Sequence, residues 1–420
     1  MRTLPIRLVV VLLCLASPAV AQDHEHHHAG AEPSANGWTW TTDANVFFGY
    51  NFQQRKFADA SAWESQNWFM FDGSRKAGRG RLTLDAMLSL EPWTIGNATF
   101  IGTPPQRVNV GGSPQLFQTG ESFILTTNGV DERIPLVNVQ HPHDLFMGLG
   151  GTYRIDVGPV AYTVGADLVG AATLGPTTFM HRESARSNPQ APLTHHYMDS
   201  THISAGVVRA GVDIHGVTLE VSAFRGEEPD EDRTDIERPK LDSWAVRGGW
   251  HRGPWQAQVS GGRLHEPEWF DPFDVTRITA SIAYNGAIGS RPLAVTAGWG
   301  ENRMFNGFQN TEDGYLLEWD LTASRMMTVY GRAEKAAKHL FGLAPEPRGF
   351  AHKHALSDVG ALTLGGVFDP PLLRKTRLGI GADVTLYRMS QDLDQFYGGS
   401  HSYHVFLRWR PAPLSAPHVH

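Results

Sequence analysis

From Trp38 to Arg410 the chain repeats short segments in which every second side chain is apolar. Residues 375–387 show the pattern: Leu378, Ile380, Ala382, Val384 and Leu386 share one parity, Arg377, Asp383, Thr385 and Tyr387 the other. A strand turns its side chains to alternate faces, so each segment has one greasy and one wet face. The repeat predicts sixteen strands, near 38–56, 63–72, 80–91, 143–157, 159–171, 201–213, 216–226, 241–251, 254–265, 274–286, 291–303, 314–325, 327–339, 358–368, 375–388 and 401–411. Uncertain boundaries leave a range of about 14–18. Connections after even-numbered strands are short: Gly73–Arg79, Gly158, Ile214–His215, Arg252–Gly253, Ala287–Ser290, Ser324–Met326 and Asp369–Arg374. The other set is mostly long, at 92–142, 172–200, 227–240, 340–357 and 389–400.

A soluble sandwich has no reason to sort its loops this way; a bacterial outer-membrane barrel does, with short periplasmic turns and long outer loops. The faces agree. The apolar sets are Leu82, Leu84, Ala86, Leu88 and Leu90; Tyr162, Val164, Ala166 and Leu168; Ile203, Ala205 and Val207; Tyr315, Leu317, Trp319 and Leu321; and Tyr403, Val405, Leu407 and Trp409. Opposite them stand Asp85, Glu91, Asp167, His202, Glu220, Arg247, Arg277, Glu318, Asp320, Asp383 and Arg408. Closing so many ionisable groups into a dry sandwich core is costly, whereas lining a wet lumen is not. The fold class read from the pattern is therefore all-β, a transmembrane antiparallel up-and-down β-barrel.

The ends supply the remaining divisions. Met1–Ala21 carries Arg2 and Arg7, an apolar run from Leu8 to Ala16 and an Ala19-Val20-Ala21 end, which reads as a secretory signal. Cys14, the sole cysteine, leaves with it, so no disulfide or thiol chemistry is expected. Residues 22–37 read as a His-rich periplasmic tail, 38–411 as the barrel and 412–420 as a C-terminal tail. The net charge of −7 becomes −9 once two arginines and no acid are removed. No basic patch suits a nucleic acid. The expected surroundings are outer-membrane lipid and small solutes.

A barrel of this size holds an aqueous bore unless a loop fills it. The 92–142 connection, with Gly102-Thr-Pro-Pro, Gly111-Gly-Ser-Pro and an apolar patch at Phe117–Leu125, is the expected filler.

Chemistry gathers on twenty histidines. His24, His26, His27 and His28, with Asp23 and Glu25, form a tail whose imidazoles suit Cu(II), Ni(II) or Zn(II). A second group is expected at the outer rim: His141, His143 and Asp144 entering the fourth strand, and His195, His196, Asp199 and His202 ending loop 172–200. Three histidines with one of the carboxylates suit zinc or copper, and Met180 and Met198 add soft donors. The bland alternative is a polar network folding the loop onto the rim. His339, His352, His354, His401, His404, His418 and His420 are scattered, and the acidic run from Glu227 reads as a solvated loop. Asp199, Ser200 and His202 lie too close together for a triad. No Gly-x-Ser-x-Gly elbow or phosphate loop occurs, so no catalytic residue is assigned.

The segments Gln140-His-Pro-His-Asp-Leu-Phe-Met, Phe179-Met-His-Arg-Glu-Ser-Ala and Pro192-Leu-Thr-His-His-Tyr-Met-Asp-Ser-Thr-His-Ile resemble those of a group of uncharacterised Gram-negative outer-membrane barrels. Genes of that group tend to lie near heavy-metal and copper efflux systems. The sharp motifs cover residues 140–210. A looser similarity links the tail to outer-membrane copper-resistance proteins, although this tail has no Met. The resemblance implies a barrel in a metal context, with periplasmic metal-efflux components as partners, and brings no catalytic residue. The expectation is an outer-membrane protein, not an enzyme, for passage or handling of small solutes, with copper first and zinc second as cargo or ligand. Lumen carboxylates Asp85, Asp167, Glu318, Asp320 and Asp383 would favour cations. The alternatives are a general porin with structural histidines and an outer-membrane metal-dependent enzyme.

Overall fold

The computed structural model describes residues 37–54, 58–95, 99–102, 124–126, 133–135, 142–230, 232–267, 273–305, 309–339, 356–373, 378–391 and 401–410. Its strands are β1 (Thr39–Gln53), β2 (Ala58–Glu64), β3 (Asn67–Ala77), β4 (Gly80–Leu88), β5 (Thr99–Gly102), β6 (Ile124–Thr126), β7 (Arg133–Pro135), β8 (Phe146–Val157), β9 (Val160–Gly170) and β10 (Ser204–Ile214). They continue as β11 (Val217–Phe224), β12 (Ser243–Arg252), β13 (Trp255–Leu264), β14 (Val275–Ile288), β15 (Arg291–Phe305), β16 (Gln309–Ser324), β17 (Met327–His339), β18 (Leu356–Phe368), β19 (Leu378–Met389) and β20 (His401–Trp409). Two single helical turns accompany them, α1 (Glu91–Thr94) and α2 (His195–Met198).

Neighbours in sequence pair antiparallel all the way round, and β1 closes the circle on β20, with Val46–Gln53 against Ser402–Trp409. Two staves of the wall are broken. β2 and β3 both lie along β1, one stave interrupted at Ser65 and Gln66. β4 pairs with β3 and β5 with β2, the next stave, interrupted by α1. Counted as staves, the wall is the sixteen-stranded antiparallel barrel that the alternation predicts. β6 and β7 form a separate hairpin.

One end of the barrel carries tight turns, with Gly78, Gly158, Gly253 and Gly289 at φ of 57–61°. Glycine reaches that region at no steric cost, so two-residue turns can close with the twist of the strands. β3 runs on to Ala77, five residues past the predicted end near 72, because this turn needs only Gly78 and Arg79.

The two faces are inverted relative to a water-soluble protein. Trp40, Phe71, Leu84, Val164, Leu219, Trp244, Val259, Ile282, Leu317, Leu364, Ile380 and Val405 are exposed on the outside. Asp72, Asp167, Arg277, Glu318, Arg332, Asp383 and Arg408 are buried inside. An apolar exterior over a polar interior is the arrangement lipid demands of a barrel. One predicted set has the wrong phase: Ile203, Ala205 and Val207 point inward and are buried, while Val208 and Ile214 are exposed. The lumen face there is itself apolar, with Val207, Phe224, Ala245, Leu264, Val275 and Met304 packed around Ala172 and Leu174. Alternation alone cannot say which of two apolar parities faces lipid.

The bore is not left to water. The connection between β9 and β10 turns into the barrel, and residues 172–203 are almost all buried. It descends through 3-10 turns at Phe179–His181 and Glu183–Ala185, returns through α2, and ends in a 3-10 turn at Ser200–Ile203. This segment, called the plug below, takes the place expected of 92–142, most of which lies outside the described residues.

Candidate functional site

The plug is fastened to the wall around most of the lumen. Thr173 Oγ1 meets Ser222 Oγ at 2.9 Å, Gly175 donates its N–H to Ser260 Oγ at 2.8 Å, and Arg277 donates to Ser200 Oγ at 2.8 Å. Arg332 donates to the Gln190 carbonyl at 2.8 Å, Gln190 Nε2 to Asp383 at 3.0 Å, and Arg408 to Ser187 Oγ at 3.0 Å. Its centre is Arg182, whose Nε donates to Glu318 Oε1 at 2.5 Å and whose Nη1 donates to Asp199 Oδ2. Burial alone would raise the Asp199 carboxyl; Arg182 and then His195 hold it below the usual carboxylate range. Removing one partner of such a buried pair costs about 3–5 kcal/mol, so these contacts specify where the plug sits. Three of the five carboxylates predicted to line open water are engaged: Glu318 and Asp383 by the plug, and Asp167 by Arg209 of the wall.

At the long-loop end of the plug the imidazoles gather. The His143 and His202 ring centroids lie 5.4 Å apart, His195 and His202 5.0 Å, and His195 and His196 5.4 Å. Each of three rings has an oxygen acceptor at Nδ1: Glu91 Oε2 at 2.8 Å for His143, Asp199 Oδ1 at 2.6 Å for His195, and the Asp199 carbonyl at 3.1 Å for His202. A carbonyl or carboxylate oxygen accepts, so Nδ1 carries the proton, and in the neutral ring Nε2 then carries the lone pair. That is the tautomer a metal takes, oriented as carboxylates orient ligating histidines. At metal–nitrogen distances of about 2.0–2.1 Å, rings around one tetrahedral ion stand about 5 Å apart. The His143–His202 and His195–His202 pairs stand near that spacing, but the donor atoms of the three rings do not all lie within 4.8 Å of one another. Among the described residues, the triad whose donor atoms all lie within 4.8 Å of one another is Asp230, Asp235 and Glu237, on the outer loop.

That loop, 225–242, covers the cluster. Arg233 pairs with Asp144 at 3.1 Å, and Leu145 donates its N–H to the Arg233 carbonyl at 2.8 Å. Glu228 lies 3.2 Å from His196 Nδ1, and Arg225 bridges Glu227 and Glu237. Burial, outweighing the opposing pull of Arg233, pushes the Asp144 carboxyl up to about 6.

His143, His195, His196 and His202 are thus brought together as the sequence suggests, buried at the long-loop end of the barrel beneath the outer loop. His195 is wholly buried and His202 is 8% exposed. His202 sits in a 3-10 turn before β10, and His143 ahead of β8, so neither projects from a strand as expected. Asp144 and Asp199 are not placed as ligands, because Arg233 occupies the first and Arg182 with His195 the second. His24, His26, His27, His28 and His141 lie outside the described residues.

Sequence reasoning missed Glu91 as a partner of the cluster, though Glu91-Pro92 at the end of an alternating run signals a broken strand. It also missed the socket for α2. A Cβ at Gly300 would meet the Tyr197 carbonyl at 2.0 Å, and one at Gly314 the Tyr197 ring at 3.0 Å. Gly298 and Gly300 share the lumen parity of β15, which is the signal that backbone approaches there.

No family model and no curated protein matches this sequence. Solved barrels do. The outer membrane channel DcaP of Acinetobacter baumannii aligns over 90% of this chain and 98% of its own, at 9% identity and a TM-score of 0.50. The anion-selective porin from Comamonas acidovorans aligns over 89% and 100%, at 11% identity and 0.49. OpdQ of Pseudomonas aeruginosa aligns over 90% and 98%, at 10% identity and 0.41. At such identities the likeness concerns the fold alone.

Proposed function

We propose that this chain is a bacterial outer-membrane barrel for passage or handling of small solutes, and that its cargo or ligand is a transition-metal ion, copper first and zinc second. The observation that carries the reading is the arrangement of His143, His195 and His202: three neighbouring imidazoles, each oriented through Nδ1 by Glu91 or Asp199. In this reading the short-turn end faces the periplasm, where the His24–His28 tail captures ions and exchanges them with efflux components. The plug carries the binding station across the bore, so movement of an ion is coupled to movement of residues 172–203. The apolar exterior supports a lipid setting. The A. baumannii neighbour is an outer membrane channel, in keeping with solute passage.

A general porin with structural histidines is the second reading. It is favoured by the same contacts seen otherwise, since the His143–Glu91 contact joins two segments of the wall and the His195–Asp199 contact braces the plug internally. Calorimetric titration of refolded protein with Cu(II) and Zn(II), beside a variant beginning at Gly37, separates the two. Stoichiometric binding that survives loss of the tail and disappears in His195→Ala/His202→Ala supports the metal station. Binding lost with the tail leaves a porin with a scavenging arm, and no binding at all removes the metal.

A further inference from the structure

Beside the imidazoles lies an apolar patch of unusual composition. Met87 and Met147 are buried against Trp68, Val169 and Ile203, with Met70 and Met180 packed on the same cluster. Four of the chain's ten methionines meet here. Three come from adjacent wall strands: Met70 pairs with Met87 across β3 and β4, and Met147 is the extra residue of a bulge opposite Met87 and Leu88. Bulges re-aim side chains. The fourth, Met180, comes from the plug, next to His181, whose ring stands edge-on to Trp68 at 4.8 Å.

Packing alone does not call for this. Another inward apolar patch fills the same kind of space with Val207, Phe224, Leu264 and Val275 and a single methionine, Met304, and a third, around Leu193, Leu316 and Val359, holds two, Met198 and Met389. Aliphatic and aromatic side chains fill a core with better-defined rotamers, and what methionine adds is a polarisable thioether. There is also room for a ligand. A cavity of about 30 Å³ is lined by Met180, His143, Glu91, Trp68, Asn67 and Asn188; Met180 is the methionine that lines it, and through Met180 it adjoins the cluster of Met70, Met87 and Met147. That is space for about one water-sized occupant.

We infer that this cavity is a binding site for a soft monovalent cation, Cu(I) or Ag(I), held by Met180 and His143 with further thioethers from the Met70, Met87 and Met147 patch. Thioethers select soft, low-charge ions, whereas imidazoles suit the divalent ions Cu(II) and Zn(II). The inference deepens the metal reading above by naming the oxidation state the plug favours. It is separable from it, because Zn(II) reports the imidazoles and Ag(I) the thioethers.

The test is Ag(I) titration, in chloride-free nitrate buffer, of the full mature protein and of Met70→Leu/Met147→Leu/Met180→Leu. Leucine keeps the volume, and such swaps usually cost under about 1.5 kcal/mol. The tail is the same in both, so its silver cancels. The expected result is loss of one Ag(I) equivalent, or at least tenfold weaker binding of it, with Zn(II) binding changed less than twofold. Equal silver binding in both proteins overturns the inference. A readout on the unaltered chain guards against a variant that does not fold: X-ray absorption of the Ag(I)-loaded protein should show a sulfur shell. A purely nitrogen and oxygen shell overturns the inference.

Discussion

Nδ1 of His143 sits 2.8 Å from Oε2 of Glu91, a carboxylate 52 positions earlier on a neighbouring stave. Glu91 also accepts the backbone N–H of His143 at 2.9 Å, so one side chain fixes both the ring and the main chain that carries it. It does so because the β4 stave breaks into α1 where an uninterrupted strand would have run on, and the break turns a buried carboxylate inward.

If the imidazoles hold a metal as proposed, replacing Glu91 acts on metal affinity before it acts on the fold. Glu91→Gln keeps the size but offers a weaker acceptor and a competing donor. Loss of such an orienting partner typically costs about 10–100-fold in metal affinity. Calorimetry should show that drop with unchanged strand content by circular dichroism. An unchanged affinity would mean that His143 contributes no ligand.

The Arg182 contacts give a stability prediction with an internal control. Arg182→Met leaves Glu318 and Asp199 as buried carboxylates without their cation, a loss of about 3–5 kcal/mol. Arg182→Met/Asp199→Asn/Glu318→Leu removes the charges together and should recover most of it. Urea unfolding in lipid vesicles measures both. A triple variant no more stable than Arg182→Met would refute the charge explanation.

What the sequence discloses and what it hides divide along physical lines. Strands β11 to β20 are legible because each exposes one apolar parity, as Val405 and Leu407 do against Arg408. β10 is misread in phase because Val207 packs on an apolar lumen, a tertiary fact that leaves the period unchanged. The plug reads as an outer loop because polar residues such as Gln190 and Arg182 look solvated until their partners are known. Those partners, Asp383 and Glu318, lie 193 and 136 positions away. Histidine spacing could nominate His195 and His202, but only the inward turn of the plug brings them to His143.

Seating of the plug depends on bare backbone at Gly300. Gly300→Val places its side chain where the Tyr197 carbonyl now lies, and a backbone atom on a packed turn cannot step aside cheaply. α2 should leave its socket and open part of the bore. Planar-bilayer recordings should show conductance well above that of the unaltered protein, and trypsin should cut at Arg182 or Arg186. Equal conductance and equal protection would show that the plug tolerates the intrusion and that Gly300 is incidental.

The outer loop supplies a prediction in pH. Asp242 accepts the Gly226 N–H at 2.9 Å and Ser243 Oγ at 3.0 Å, and pairs with Lys240 at 2.9 Å. Burial would raise its carboxyl, but Lys240, Gly226 and Ser243 together hold it below the ordinary value. A depressed carboxyl binds its proton less readily in the folded state. Its stabilisation is therefore complete above the unfolded value of about 3.9 and fades as pH falls through the lower folded value. Asp242→Asn removes hydrogen bonds to a charged acceptor, each worth about 1.5–3 kcal/mol where buried and less at this partly exposed site. The variant should be about 1 kcal/mol less stable at pH 7, and the gap should close as acidification carries the pH through the depressed folded value. Urea midpoints at pH 7 and below that folded value decide it, and a gap that stays constant with pH would assign the loss to loop packing and not to the carboxylate's charge.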